Sequence, residues 1–345
     1  MIYFRCDGNS LIGGGHVMRC LSIASAFKNK NVQCCFVLAD SEFQTTIIEK
    51  GFQTIILNTD YSNLELELDS LYSIISKNGE LLFIDSYYVT DHYLSCLKKI
   101  TKVVYIDDLA LFAYPVDFLI NYNIYAKKET YLNKYKNSNI QLPKLLLGTK
   151  YVPLREEFLN TPIKIINNDV KDILVSTGAS DPLHIALKMI NDFCEHRTYY
   201  NFHFLIGNKN IDINSIEEKA NALNNVFVYY QYNSVCELMQ KCDIAISAAG
   251  STLYELCKVG TPIISYASAD NQLEGLAEFT KRKLVVSAGD IRDNSHIFKS
   301  MLTCIEHLRG KDVRVKMSRE ASKQVDGYGA FRIVEETLVS LAHNN

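Results

Sequence analysis

The segment from Ile12 to Cys20 reads IGGGHVMRC. Three glycines run into a histidine, and an apolar, helix-like pattern follows at once. Gly13, Gly14 and Gly15 permit positive φ and let a ligand approach the backbone closely. A helix starting there presents unpaired N–H groups, which favour an anion or a ligand oxygen. The positive end of that helix disfavours imidazolium and should hold His16 neutral, the form a general base needs. Arg19 follows at i+3, on roughly the same face. Asp7 ends the preceding strand-like run and points toward the same mouth. The competing reading is a tight turn capped by a structural histidine, and this short motif alone does not separate the two.

A second constellation lies in DIAISAAGSTLYELCKVGTPIISY. A strand-like run ends at Ser247, and two small residues and Gly250 make a turn. Ser251 and Thr252 are placed to cap the helix that follows. N–H groups and hydroxyls converge there, which suits a phosphate. Glu255, one turn into the helix, could accept both hydroxyls of a ribose. Thr252 to Glu255 also fits a capping box, at least as well by spacing. The run STGASDP gives another small-residue turn, at Gly178 and Ser180, and ASADNQLEG offers the amides of Asn271 and Gln272 at a strand end. Asp85 and Tyr87 end a strand in IDSYY. Asp107 and Asp108 end the next, in YIDDLA, where cap chemistry favours a structural role.

The elements that must position these residues alternate along the whole chain. Apolar strand-like runs occupy 2–6, 32–39, 54–58, 81–85, 102–107, 118–122, 172–177, 201–207, 226–230, 243–247, 262–267 and 284–288. Helical periodicity fills many of the gaps, as with Val17, Leu21 and Ala24. Short, continuously apolar strands between helices indicate parallel sheets covered on both faces. QLPKLLLGTKYVPLREEF, with two prolines and a glycine, and the polar NTPIKIINNDVK read as a break, after which the rhythm restarts. The expected fold is therefore α/β, with two doubly wound Rossmann-like domains facing a cleft. The boundary falls near 150–168, giving domains 1–155 and 156–345, and the segment after Asp326 crosses back to the first. Ligands of such folds bind at the carboxyl ends of the strands.

Composition narrows the function. Hydrophobic residues are 48% and charged residues 22% of 345, the balance of a soluble globular protein. A net charge of −3 gives no reason to expect a nucleic-acid partner. MIYFRCD reads as a strand, not as a secretory leader, and no uncharged apolar run approaches a membrane span. The ten cysteines form no C-x-x-C pair and no zinc spacing, so they read as buried free thiols of a reducing, cytoplasmic compartment. The dinucleotide fingerprint G-x-G-x-x-G is not completed, because Met18 stands at its last glycine.

RCDGNSLIGGGHVMRCLSIA, IDSYY, IDDLA, GTKYVPLREEF, AAGSTLYEL, ADNQ and DGYGAFRIV together resemble the UDP-2,4-diacetamido-2,4,6-trideoxy-β-L-altropyranose hydrolases of pseudaminic acid biosynthesis. The resemblance runs from residue 2 to about residue 335. That family in turn resembles the GT-B glycosyltransferases that include the enzyme transferring N-acetylglucosamine to lipid I. It implies hydrolysis of a UDP-linked sugar to UDP and free sugar, without cofactor or metal. It implies that His16 activates water, that Tyr87 contacts the sugar and that Asn271 supports activity. It implies that Gly250, Ser251, Thr252 and Glu255 hold UDP. Two departures stand out: Gly178-Ala179-Ser180-Asp181 replaces a common GGSD, and Tyr254 stands where many members carry Trp. A GT-B glycosyltransferase with a separate acceptor would share fold and nucleotide site. A non-catalytic nucleotide-sugar binder is the third reading. Oligomeric state is not legible.

Overall fold

The computed structural model of the protein describes residues 1–9, 11–75, 81–207, 209–293 and 296–342. The chain forms two compact units, Met1–Glu156 with Tyr328–Asn345, and Glu157–Gly327.

The first unit is built on seven strands: β1 Ile2–Cys6, β2 Cys34–Leu38, β3 Gln53–Ile56, β4 Leu81–Asp85, β5 Lys102–Ile106, β6 Phe118–Asn121 and β7 Lys144–Leu147. They pair in the order β3-β2-β1-β4-β5-β6-β7, and every pairing is parallel. Strand β7 lies in the stretch that the sequence reading assigned to the break. It is an edge strand of four residues, only Leu146 is buried, and Pro143 precedes it. Proline is tolerated at the start of an edge strand, so the punctuation that suggested a linker marks the sheet's last strand.

An aromatic ladder fixes the first helix on this sheet. Phe4 pairs in register with Phe36 and Phe83. Its ring stacks between theirs, with centroids 5.1 and 4.8 Å away. Phe27, near the end of the helix Gly15–Lys28, packs edge-on against Phe4 and Phe83 at 6.3 and 5.7 Å. Each such pair contributes about 0.5–1.5 kcal/mol beyond area burial. The helix start, and with it His16, is thereby held at the carboxyl end of β1. On the opposite face Arg5 is fully buried. It donates to both oxygens of Glu67 at 2.7 Å and to Asp7 at 2.5 Å.

The helix Gly329–Ala342 belongs to this unit. Lys102 Nζ donates to the Ser340 carbonyl at 2.6 Å, and Lys144 pairs with Glu336 at 2.6 Å. A Cβ at Gly329 would lie 2.2 Å from the Val152 carbonyl oxygen, so only glycine allows this approach.

The second unit repeats the plan with β8 Asp172–Ser176, β9 Asn201–Ile206, β10 Val226–Tyr230, β11 Ile244–Ala248, β12 Ile263–Ala267 and β13 Val286–Asp290. The order is β10-β9-β8-β11-β12-β13, again all parallel. Its core packs around Phe193, Phe202, Phe204, Ile246 and Ile264. The ten cysteines are all free thiols, and nine are buried. Among the described residues, no helix is long and apolar enough to cross a membrane.

Candidate active site

In each sheet the strand order reverses once, between β1 and β4 in the first unit and between β8 and β11 in the second. Ligands of open α/β sheets bind at the carboxyl side of such a reversal. In the first unit that position holds Asp7, after β1, and Asp85, the last residue of β4. The helix carrying His16 and Arg19 starts above them.

His16 Nδ1 lies 2.6 Å from Asp85 Oδ1. Arg19 donates to the same carboxylate from Nε and Nη2, both at 2.5 Å. Burial by itself would raise the Asp85 carboxyl. Arg19 and His16 outweigh burial and hold it well below the usual carboxylate range. An ionised carboxylate only accepts, so Nδ1 carries a proton, and in the neutral imidazole the lone pair is on Nε2. Arg19 Nη2, 3.1 Å from Nδ1, is then a second donor sharing Asp85 Oδ1. Among the described residues Nε2 has no hydrogen-bond partner.

Arg19 is otherwise consumed within the unit. Its Nη1 reaches Asp108 Oδ2 and the Tyr122 hydroxyl, each at 2.9 Å. Burial works against its charge, but Asp108 and Asp85 keep the guanidinium protonated. Its donors thus lie on Asp85, Asp108 and Tyr122. Tyr87 stands edge-on to the His16 ring, with centroids 4.7 Å apart, and donates to Asp108 Oδ2 at 3.1 Å. Burial, then the Asp108 carboxylate, pushes its phenol above the ordinary tyrosine range. Asp7 faces the same pocket, with one oxygen on Arg5 and the other accepting from the Ala39 N–H at 2.8 Å. The pocket has Asp7, His16, Asp85 and Ser86 on its polar side. Ile12, Tyr61, Tyr87 and Tyr88 complete it.

The glycines of the turn divide by cause. Gly13 has φ +74°. A Cβ on Gly14 would lie 2.6 Å from the Phe43 ring, so packing requires that glycine. Gly15 has neither positive φ nor any atom within 4 Å of a built Cβ. The fold does not need glycine there, which leaves room for a ligand at the helix start. That helix has no side-chain cap and no acid in its first turn.

The second unit brings Gly178, Ser180 and the Gly250–Glu255 turn to its own switch point, with Asn271 and Gln272 one strand further on, after β12. Gly178, with φ +94°, and Ser180 follow β8, and both are exposed. Gly250 follows β11, again with no positive φ and nothing within 4 Å of a built Cβ. Ser251 is the N-cap of the helix Thr252–Val259, but its side chain makes no cap bond. The capping box from Thr252 to Glu255 is one residue out of register, because the cap is Ser251. Glu255 lies partly exposed in the first turn. After β12, Gln272 Oε1 accepts from the Ser268 N–H at 2.8 Å and its hydroxyl at 3.1 Å, tying the turn Asp270–Gln272 to the strand end. Arg292 clamps the same turn between Asp270 and Asp290, at 2.8 and 2.6 Å. Asn271 is left exposed at its tip.

Sequence reasoning grouped Asp107 with Asp108, and the structure separates them. Asp107 is buried, bonded to the N–H groups of Leu109 and Ala110 and to the hydroxyls of Tyr114 and Tyr131. Asp108 instead joins Arg19, Tyr87 and Asn123. Tyr61 and Tyr122 were not singled out by the sequence, and Tyr88 only as the end of IDSYY. Among the described residues, no group of three His, Cys, Asp or Glu is placed to hold a metal ion.

Comparison with known proteins bears on the family resemblance and the fold. Residues 173–285 match the glycosyltransferase family 28 C-terminal domain. The chain is 24% identical over 276 residues to the UDP-2,4-diacetamido-2,4,6-trideoxy-beta-L-altropyranose hydrolase of Campylobacter jejuni, covering 77% of this chain and 91% of that protein. It is 23% identical over 294 residues to an uncharacterized protein of Methanocaldococcus jannaschii, covering 80% of this chain and 57% of that longer one. MurG of Acinetobacter baumannii shares the fold, with a TM-score of 0.62 at 8% identity over 97% of this chain and 98% of that one. The chain thus has the Rossmann-like units of the GT-B class and resembles the UDP-sugar hydrolases in sequence.

Proposed function

We propose that the chain is a UDP-sugar hydrolase acting on a UDP-linked diacetamido-trideoxy hexose. The observation that carries this reading is the His16–Asp85 pair, with Nε2 unbonded at a pocket beside the reversal of the strand order. In the proposed reaction His16 Nε2 takes a proton from water as the water oxygen bonds to the anomeric carbon. The bond from that carbon to the phosphate oxygen breaks, and UDP leaves with the electron pair. A single displacement inverts the anomeric centre. Asp85 holds the imidazole in the reactive tautomer and balances the imidazolium that forms.

The second unit is assigned to the nucleotide. The uncapped helix at Gly250–Ser251 would meet the diphosphate, whose growing charge its N–H groups stabilise. Glu255 would accept from the ribose, and Asn271 would reach the substrate from the clamped turn. The similarity to the Campylobacter hydrolase over most of both chains supports the substrate class. Tyr87 and the tyrosines near it suit the apolar faces of a deoxy, acetylated sugar.

A glycosyltransferase is the second reading, favoured by the family 28 domain match. Incubation of the protein with the UDP-sugar and no acceptor separates the two. Stoichiometric UDP release supports hydrolysis. Release that waits for an added sugar or lipid acceptor supports transfer, and UDP affinity without turnover supports a binder.

A further inference from the structure

We propose, on the hydrolase reading above, that Asp108 is a positioning residue for the His16 base. It fixes Arg19 and the Tyr87 hydroxyl, and it leaves the cluster one negative charge to set against imidazolium. Three elements converge on this carboxylate. Arg19 and Tyr87 donate to Oδ2 at 2.9 and 3.1 Å, and Asn123 Nδ2 donates to Oδ1 at 2.9 Å. Arg19 in turn spans Asp108 and Asp85, and Asp85 holds His16.

The charge count gives the arrangement its purpose. Two carboxylates share one guanidinium, so the resting cluster carries one excess negative charge. When His16 takes the proton from water, the cluster becomes neutral. With an amide at position 108 the resting cluster is neutral, and forming the imidazolium leaves it with one excess positive charge, because Asp85 alone then faces both His16 and Arg19. Charges a few ångström apart in a poorly solvated site interact strongly. Asp85, Arg19 and Tyr87 face His16 directly, with Asp108, Tyr122 and Cys20 behind them. Across the pocket stand Asp7, which shares Arg5 with the buried Glu67, and the phenols of Tyr61 and Tyr88. These groups are the same in wild type and in Asp108→Asn, so a change in the His16 signal between the two reads the charge at position 108.

The test reads the imidazole directly. Carbon-13 histidine spectra of the full, ligand-free chain are titrated for wild type, Asp108→Asn and Asp108→Glu, with His16→Asn to assign the resonance. The His16 signal of Asp108→Asn is expected to titrate at lower pH than wild type, and that of Asp108→Glu close to it. If Asp108→Asn does not fold, Asp108→Ser removes the same charge with a smaller side chain and must move the signal to lower pH. In turnover, Asp108→Asn is expected to lose about 10–100-fold in kcat, part of the ~10²–10⁴ of a general base, with KM little changed. A His16 signal that titrates as in wild type in folded Asp108→Asn or Asp108→Ser overturns the proposal. Because the spectra need no substrate, a wild type that releases no UDP sinks the hydrolase reading and leaves this test standing.

Discussion

Replacing Asp85 by Asn probes the site and the fold at once. The amide keeps the shape but loses the charge, and its NH₂ can donate to His16 Nδ1, which favours the tautomer with its lone pair on the wrong nitrogen. Loss of the orienting carboxylate at a histidine base costs up to about 10⁴ in kcat where it has been isolated. Here Asp85 accepts from His16 and twice from Arg19. We expect a fall of about 10³–10⁴ in kcat with UDP affinity retained. Breaking a buried ion pair typically costs about 3–5 kcal/mol. Arg19 keeps Asp108 and Tyr122, so about 3 kcal/mol is expected. At about 2–4 °C per kcal/mol, that lowers Tm of the first unit by about 6–12 °C. The folded Asp85 is depressed below its unfolded value. Its contribution is therefore present above about pH 4 and is lost as pH falls through the folded value. The Tm gap between wild type and Asp85→Asn should accordingly narrow below pH 4. Scanning calorimetry from pH 7 to 3 and steady-state UDP release, both normalised to UDP-binding sites, measure these effects. A variant with kcat within tenfold of wild type, or a Tm gap that does not change with pH, refutes the reasoning.

Other substitutions separate chemistry from scaffold. His16→Asn should lower kcat by about 10²–10⁴ and leave Tm and calorimetric UDP affinity nearly unchanged, whereas a purely structural histidine would show the reverse. Gly14→Ala should lose stability, because its Cβ meets the Phe43 ring at 2.6 Å. Gly15→Ala should hold or raise Tm yet weaken the substrate, seen as a rise in KM, because only a ligand needs the space at that position. Glu255→Ala should weaken UDP by about 1–3 kcal/mol in titration calorimetry with folding intact.

The sequence made the fold legible because fully buried parallel strands write themselves as continuous apolar runs. Phe4, Phe36 and Phe83 each sit in such a run and meet across three strands. Strand β7 did not show, since an edge strand half covered on both faces and flanked by proline resembles a linker. The residues around His16 were legible for a similar reason: Asp7, Asp85 and Tyr87 all follow apolar strands, where α/β sheets place their ligands. Asp108 was not. It follows Asp107 directly, and successive residues at a strand end point to opposite sides, so one carboxylate braces the loop and its neighbour turns to Arg19. Which of them does which depends on Arg19 and Tyr122, residues 89 and 14 positions away in the chain, and no local pattern records that. Gly14 and Gly15 look identical in sequence too, and only Phe43 distinguishes them.

The central claim is that water, held by His16, attacks the anomeric carbon. It is tested most directly by running the reaction in ¹⁸O-water with the UDP-linked diacetamido-trideoxy sugar as sole substrate, and following both products by mass spectrometry and the sugar by proton NMR from the first seconds. The account predicts one ¹⁸O in the free sugar, none in UDP, and the inverted anomer formed first and lost in His16→Asn. Label in the UDP, a first-formed anomer of retained configuration, or unlabelled sugar transferred to another molecule would contradict it.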